Sequence, residues 1–134
     1  MRYLLWFLII MFCVMIVYFS LISSPRLSWN AYVPNWIAYW ADKEENDNFR
    51  TAIPFVFLGL VSGILIVVNR ANHKWWFRSW IIHVLLVVLV ELGQLLRPLR
   101  SCDIMDILWG MVVSGFGLML VYLILRSVKS KKYG

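Results

Sequence analysis

The sequence predicts an all-helical membrane protein, a bundle of four transmembrane helices with both termini in the cytoplasm. Hydrophobic residues make up 62% of its 134 residues and charged residues only 15%, an apolar excess that favours lipid as the solvent. Four apolar stretches approach the roughly 20 residues that cross a bilayer. Lys and Arg concentrate in alternate connections, as in multi-pass proteins. The length fits a single domain over residues 1–134.

The four predicted spans cover about residues 3–22, 53–68, 77–96 and 104–125. The first is longer than the ~7–15 apolar residues of a signal peptide, and no small-residue cleavage site follows it, so we predict a permanent span. The second is short and begins near Pro54, because proline is favoured in the first turn of a helix.

The orientation follows from the basic residues that flank these spans. The second loop and the carboxyl tail are basic without any acid, whereas the first loop, residues 23–52, carries four acids beside three bases. The positive-inside rule therefore places both termini and the second loop in the cytoplasm, with the first and third loops outside the cell membrane. The net charge of +6 comes with no nucleic-acid-binding motif, so we predict no nucleic-acid partner.

Aromatic residues in the outer loop, residues 23–52, recur at helical spacing. The stripe consists of Trp29, Tyr32, Val33, Trp36 and Trp40. It favours a helix that lies in the membrane interface, where Trp and Tyr side chains accumulate. An irregular loop anchored by its aromatic side chains explains the same pattern equally well, and both interpretations stay open.

Polar residues inside the predicted spans are the candidates for function, because an ionisable group at membrane depth is costly and needs a partner, a water path or a role. Glu91 and Gln94 are i,i+3 neighbours and share a face of the third predicted helix. Asp103 and Asp106 repeat this spacing at the start of the fourth. An acid is favoured there by the helix dipole, which explains Asp103 better than Asp106.

Two arginines, Arg97 and Arg100, lie in the turn between these helices. Guanidinium groups pair with carboxylates or phosphates. The cluster is therefore either a closed ion-pair network or an outward-opening site for an anionic or hydroxylated ligand. The predicted ligand-binding residues are Glu91, Gln94, Arg97, Arg100, Asp103 and Asp106.

Two stripes of small residues predict close helix packing, since small side chains let helix backbones approach one another. They consist of Gly59, Ser62 and Gly63 on the second predicted helix and Gly110, Ser114 and Gly117 on the fourth. Such stripes serve contacts within one chain or between copies in an oligomer, and the pattern does not choose between them.

The segment ELGQLLRPLRSCDIMDILWGMVVSGFG, from Glu91 to Gly117, resembles the VanZ-like family of membrane proteins. That family typically shows Glu-x-x-Gln on one membrane helix and Arg-Ser-Phe-Asp-Ile-Asp-Asp-Ile opening the next. A second segment, NFRTAIPFVFLGL, is similar to the family's opening of the second span. The matching residues are Glu91, Gln94, Arg100, Ser101, Asp103, Ile104, Asp106 and Ile107, with Asn48, Ile53, Pro54, Phe55, Phe57 and Leu58 in the second segment.

The chain departs from the family pattern at four positions. Cys102 replaces the usual aromatic residue and Met105 the middle Asp, while Gly110 and Val113 stand where the family usually has Asn and Gly. The loss of the amide at position 110 removes a polar group from the expected site.

The resemblance implies a cell-envelope role, because the family's prototype is associated with low-level resistance to teicoplanin, a lipoglycopeptide antibiotic. The resulting hypothesis is a non-catalytic envelope protein whose outward-facing polar site binds an anionic, lipid-linked or lipoglycopeptide ligand. Two alternatives are a small membrane enzyme acting on a lipid-linked phosphate, and a subunit of a membrane transport complex. We predict no catalytic residue, cofactor or metal, since paired carboxylates without further ligands are weak evidence for a metal site.

Overall fold

The computed structural model describes residues 1–21, 28, 32, 34–43, 47–96 and 103–133; for residues 19, 41, 47–52 and 128–133 it describes the backbone alone. The described part contains helices and turns and no strand, so the all-α prediction is confirmed. The helices are α1 (Arg2–Leu21), α2 (Asn35–Ala41), α3 (Asp47–Val68), α4 (Lys74–Gln94) and α5 (Ile104–Tyr133).

Two of these helices are long and apolar enough to cross a membrane, namely α4 and the part of α5 from Ile104 to Ser127. Helices α1 and α3 contain shorter apolar stretches, Arg2–Tyr18 and Ile53–Val68. In the most apolar windows of α4 and α5 only 22% and 28% of the residues are buried within the protein, whereas the core helix of a soluble domain is mostly buried. The four-span arrangement and the orientation of the termini stay predictions.

Helices α3 and α5 extend beyond the apolar stretches of the predicted spans, and the prediction that Pro54 opens its helix is wrong. Helix α3 begins at Asp47, so Pro54 lies inside the helix and not in its first turn. Helix α5 continues past residue 125 through the basic tail to Tyr133. Hydropathy reports which residues prefer apolar surroundings, but a hydrogen-bonded helix continues into polar sequence wherever the backbone allows it. Inside α3, Pro54 has no N–H to bond one turn back, and a proline ring at such a position crowds the carbonyl there.

Helix α3 lies at the centre of the packing, because it contacts α1, α4 and α5. Its closest approach is to α5, where Gly59 and Gly117 face each other. A Cβ atom on Gly59 would collide with the carbonyl oxygen of Ser114, and one on Gly117 would meet the carbonyl oxygen of Val56. Gly59 of the first small-residue stripe thus meets Ser114 and Gly117 of the second at the α3–α5 crossing. The buried core beside it consists of Ile16, Phe55, Leu58, Val87 and Val90.

A tight turn connects α3 to α4 and closes the end of α3. The N–H of Ala71 donates to the carbonyl of Ile66, and the N–H of Arg70 donates to the carbonyl of Val67, the two bonds of a Schellman cap. Arg70 occupies the left-handed position of this cap with φ 51°, which glycine usually fills. The turn therefore places α3 and α4 side by side at some cost in backbone strain.

The outer loop contains a short helix, α2, of seven residues. Ala38 is buried on one side of α2, while Trp36 and Tyr39 are largely exposed. Of the aromatic stripe, Trp29 and Val33 lie outside the described residues. The helical interpretation of the loop therefore holds for residues 35–41, and its location in a membrane interface stays a prediction.

Candidate functional site

The centre of the candidate site is Glu91, on the last turns of α4. Its side chain is only 1% exposed, and Gln94 one turn later is 6% exposed. The amide nitrogen of Gln94 donates to Glu91 Oε1 at 3.0 Å, and the backbone N–H of Asp103 donates to Glu91 Oε2 at 3.3 Å. Both carboxyl oxygens of Glu91 thus accept hydrogen bonds, one within α4 and one from the residue that opens α5.

Asp103 caps the amino terminus of α5. Its Oδ1 accepts the backbone N–H of Met105 at 2.8 Å, and its carbonyl accepts the N–H of Ile107 at 3.4 Å. This satisfies backbone donors that a helix start otherwise leaves unpaired. Asp106 is the third residue of α5 and half-buried, so it lies within the first turn, where a carboxylate is favoured by the helix dipole.

The structure brings Glu91, Gln94 and Asp103 together into one hydrogen-bonded group, which we call the outer cluster. The predicted ligand-binding residues Arg97 and Arg100 lie outside the described residues, as does Ser101 of the motif. Asn48 lies in the first turn of α3, where the structure describes the backbone alone.

Gly110 lies seven residues after Asp103 on α5 and faces Val87, which is one turn before Glu91 on α4. A Cβ atom there would lie 2.7 Å from Val87 Cγ2 and 3.6 Å from Phe55 Cδ2, so the neighbouring side chains leave no room for a side chain at this position. Val113 packs against the same core, to which Phe55 and Val87 belong. The side chains of neighbouring helices therefore occupy the space that the family's usual Asn would need.

Ser114 and Gly117 serve the helix packing. Ser114 is fully buried, and its hydroxyl donates to the carbonyl of Met111 in its own helix at 3.1 Å. Pro54 and Phe55 belong to α3, where Phe55 is one of the largest fully buried side chains. These motif residues hold α3, α4 and α5 in register beneath the outer cluster.

A second pair of buried polar residues, Ser62 on α3 and His83 on α4, was not predicted as a pair. The Ser62 hydroxyl and His83 Nε2 lie 3.1 Å apart. His83 Nδ1 is buried without a hydrogen-bond partner among the described residues. The sequence shows a Ser and a His on separate helices, and no spacing rule reveals that they meet.

Chemically, the outer cluster is suited to fix the start of α5 against the end of α4. Among the described residues, no three His, Cys, Asp or Glu side chains come together as a metal site. Comparisons of the chain with known protein families, with curated proteins and with solved structures find no match.

Proposed function

We propose that this chain is a VanZ-like integral membrane protein of the cell envelope that lowers susceptibility to lipoglycopeptide antibiotics of the teicoplanin type. It crosses the bilayer four times with both termini in the cytoplasm. Its outward-facing site binds the antibiotic, or an anionic lipid-linked envelope ligand, and performs no catalysis.

The apolar exterior supports the membrane location. Large apolar side chains are exposed along the described parts of the long helices, among them Phe7 and Ile10 on α1, Leu89 on α4 and Val112 on α5. Water would solvate this surface poorly, whereas lipid tails solvate it well. Trp75 and Trp76 lie beside Lys74 at the start of α4, as interface residues do.

The observation that carries the proposed site is the burial of Glu91 between two hydrogen-bond donors where α4 meets α5. A buried, fully hydrogen-bonded carboxyl group is suited to fix the turn and not to contact a ligand. That leaves ligand contact to Asp103 and Asp106, which are more accessible than Glu91, and to Arg97 and Arg100. Guanidinium groups bind anionic groups well.

Antibiotic susceptibility tests the proposal in a sensitive host that lacks close relatives of this protein. Wild type, Asp106→Asn and Asp42→Asn are compared at matched abundance in the membrane fraction, with teicoplanin and with the non-lipidated vancomycin. Asp42→Asn is the matched control, because it makes the same chemical change in the outer loop, where Asp42 accepts the backbone N–H of Ser28 at 2.8 Å.

We expect the wild type and Asp42→Asn to raise the inhibitory concentration of teicoplanin more than that of vancomycin, and Asp106→Asn to lose this protection. Equal susceptibility with and without abundant wild-type protein would reject the resistance role. Protection that persists in Asp106→Asn would remove that carboxylate from the site.

A further inference from the structure

A cavity of about 500 Å³ lies between α1, α3 and α4, away from the outer cluster. Its volume is in the range of about 300–1,000 Å³ that is typical of pockets for small organic ligands. Apolar side chains of all three helices line most of it, and Cys13, Ser62, Ser79 and His83 are among its polar lining residues. His83 lies about 12 Å from Glu91 along α4, at ~1.5 Å per residue, so the cavity is separate from the candidate site.

The polar feature of this cavity is the Ser62–His83 pair. Ser62 is 7% and His83 4% exposed, and their hydrogen bond spans 3.1 Å between Ser62 Oγ and His83 Nε2. Nδ1, on the other side of the ring, has no partner among the described residues. Buried polar atoms in proteins are nearly always hydrogen-bonded, so an orphaned nitrogen on a cavity-lining imidazole leaves one hydrogen bond for a ligand group to make. This nitrogen has almost no accessible surface, so the ring must turn for a ligand to reach it.

The lining of the cavity restricts the chemistry of that ligand. None of the lining residues that the structure describes is Asp, Glu, Lys or Arg, which disfavours a charged ligand in apolar surroundings. A neutral imidazole donates from one nitrogen and accepts at the other, and the Ser62 hydroxyl suits either tautomer. A hydroxyl group both donates and accepts, so it satisfies Nδ1 in either tautomer.

We propose that this cavity binds an uncharged single-chain lipid alcohol, with its chain against the apolar walls and its hydroxyl on His83 Nδ1 after the ring has turned toward the cavity. The site binds and does not transfer acyl groups. Ser62 and His83 both lie in helix interiors, where the neighbouring backbone N–H groups are engaged in helix hydrogen bonds and cannot form an oxyanion hole. This inference goes beyond the proposed antibiotic role and does not depend on the orientation of the termini.

Photo-crosslinking of the purified full-length protein in lipid nanodiscs tests the proposal. The probes are a diazirine-bearing hexadecanol, the corresponding fatty acid and the corresponding hydrocarbon. His83→Phe removes the imidazole at similar size. The matched control is His73→Phe, because His73 is the other histidine of the chain, is exposed and does not line this cavity.

We expect saturable labelling by the alcohol, competed by unlabelled hexadecanol and mapping to α1, α3 and α4. His83→Phe is expected to weaken it about tenfold, the loss of one buried hydrogen bond, whereas His73→Phe leaves it unchanged. Labelling that does not saturate, that is equal for the three probes, or that is unchanged in a folded His83→Phe protein would overturn the proposal.

A second measurement leaves the Ser62–His83 pair intact and so remains decisive if His83→Phe does not fold. In a Cys102→Ser background, Cys13 in the cavity wall is the remaining thiol of the chain. Hexadecanol is expected to slow the alkylation of Cys13 by N-ethylmaleimide in a saturable manner, and hexadecane to slow it much less. Equal rates with and without hexadecanol would exclude occupancy of the cavity.

Discussion

Two groups of buried polar side chains connect helices in this protein, and they differ in how completely they are hydrogen-bonded. In the outer cluster both oxygens of Glu91 accept hydrogen bonds, from Gln94 and from the backbone of Asp103. In the Ser62–His83 pair one ring nitrogen is bonded and the other has no partner among the described residues. The burial of Glu91 and His83 is nearly the same, so burial alone does not distinguish their roles.

The more completely hydrogen-bonded group is suited to hold the structure, and the less completely bonded one to receive a ligand. A fully satisfied polar group rigidifies its surroundings and becomes costly to remove, because its partners then lose their acceptor. A partly satisfied group stabilises the fold less and gains most from an added partner. Substitutions in the outer cluster should therefore act on stability, and substitutions at the pair should act on ligand binding.

The largest effect is expected for Glu91→Leu. This change leaves the Gln94 amide and the Asp103 N–H without their acceptor, at a cost of about 2–4 kcal/mol of unfolding free energy. Ser62→Ala removes one hydrogen bond between helices and should cost about 0.6 kcal/mol, the average for such bonds in membrane proteins. Equilibrium unfolding of the purified variants in detergent micelles measures both.

Glu91→Gln is the matched control, since it keeps one oxygen acceptor and the size of the side chain. Its loss should fall between those of the other two variants. If Glu91→Leu were no less stable than Ser62→Ala, the outer cluster would not hold the turn. The outer cluster and the Ser62–His83 pair would then not differ in their contribution to stability.

The sequence predicts interactions within a helix better than interactions between helices. Glu91 and Gln94 share a face because they lie three residues apart on one helix, and that follows from helix geometry alone. The small-residue stripes predict close packing, but not that Gly59 meets Gly117. The Ser62–His83 pair depends on the rotation of α3 against α4, which no local spacing encodes.

A further effect is expected beneath the outer cluster, where Gly110→Asn introduces the residue that the VanZ-like family usually has at this position. Its Cβ atom would lie 2.7 Å from Cγ2 of Val87, a β-branched and fully buried side chain that cannot swing away within α4. Overpacking of this kind costs about 1–3 kcal/mol.

Val87→Ala removes the clashing methyl groups, so the double variant Gly110→Asn with Val87→Ala should recover most of the stability that Gly110→Asn loses. The double-mutant cycle in micelles measures the coupling between the two positions. Additive losses would show that Val87 is not what excludes a larger side chain at position 110. Packing against Val87 would then not explain why this chain has glycine there.

The last expected effect is a gain, from Arg70→Gly in the turn at the end of α3. The left-handed backbone at Arg70, φ 51°, costs an L-residue about 1–2 kcal/mol. Glycine avoids this strain, but it loses more conformational entropy on folding, which offsets part of the gain in stability. A net gain of about 0.5–1 kcal/mol is therefore expected, with Arg70→Ala as the control that removes the charge and keeps the strain.

The neighbours of Arg70, Asn69 and Ala71, line the cavity between α1, α3 and α4, whereas Arg70 does not. Hexadecanol should thus protect Cys13 equally well in both variants, and a loss of protection with the gain in stability would mean that the strained turn itself shapes the cavity.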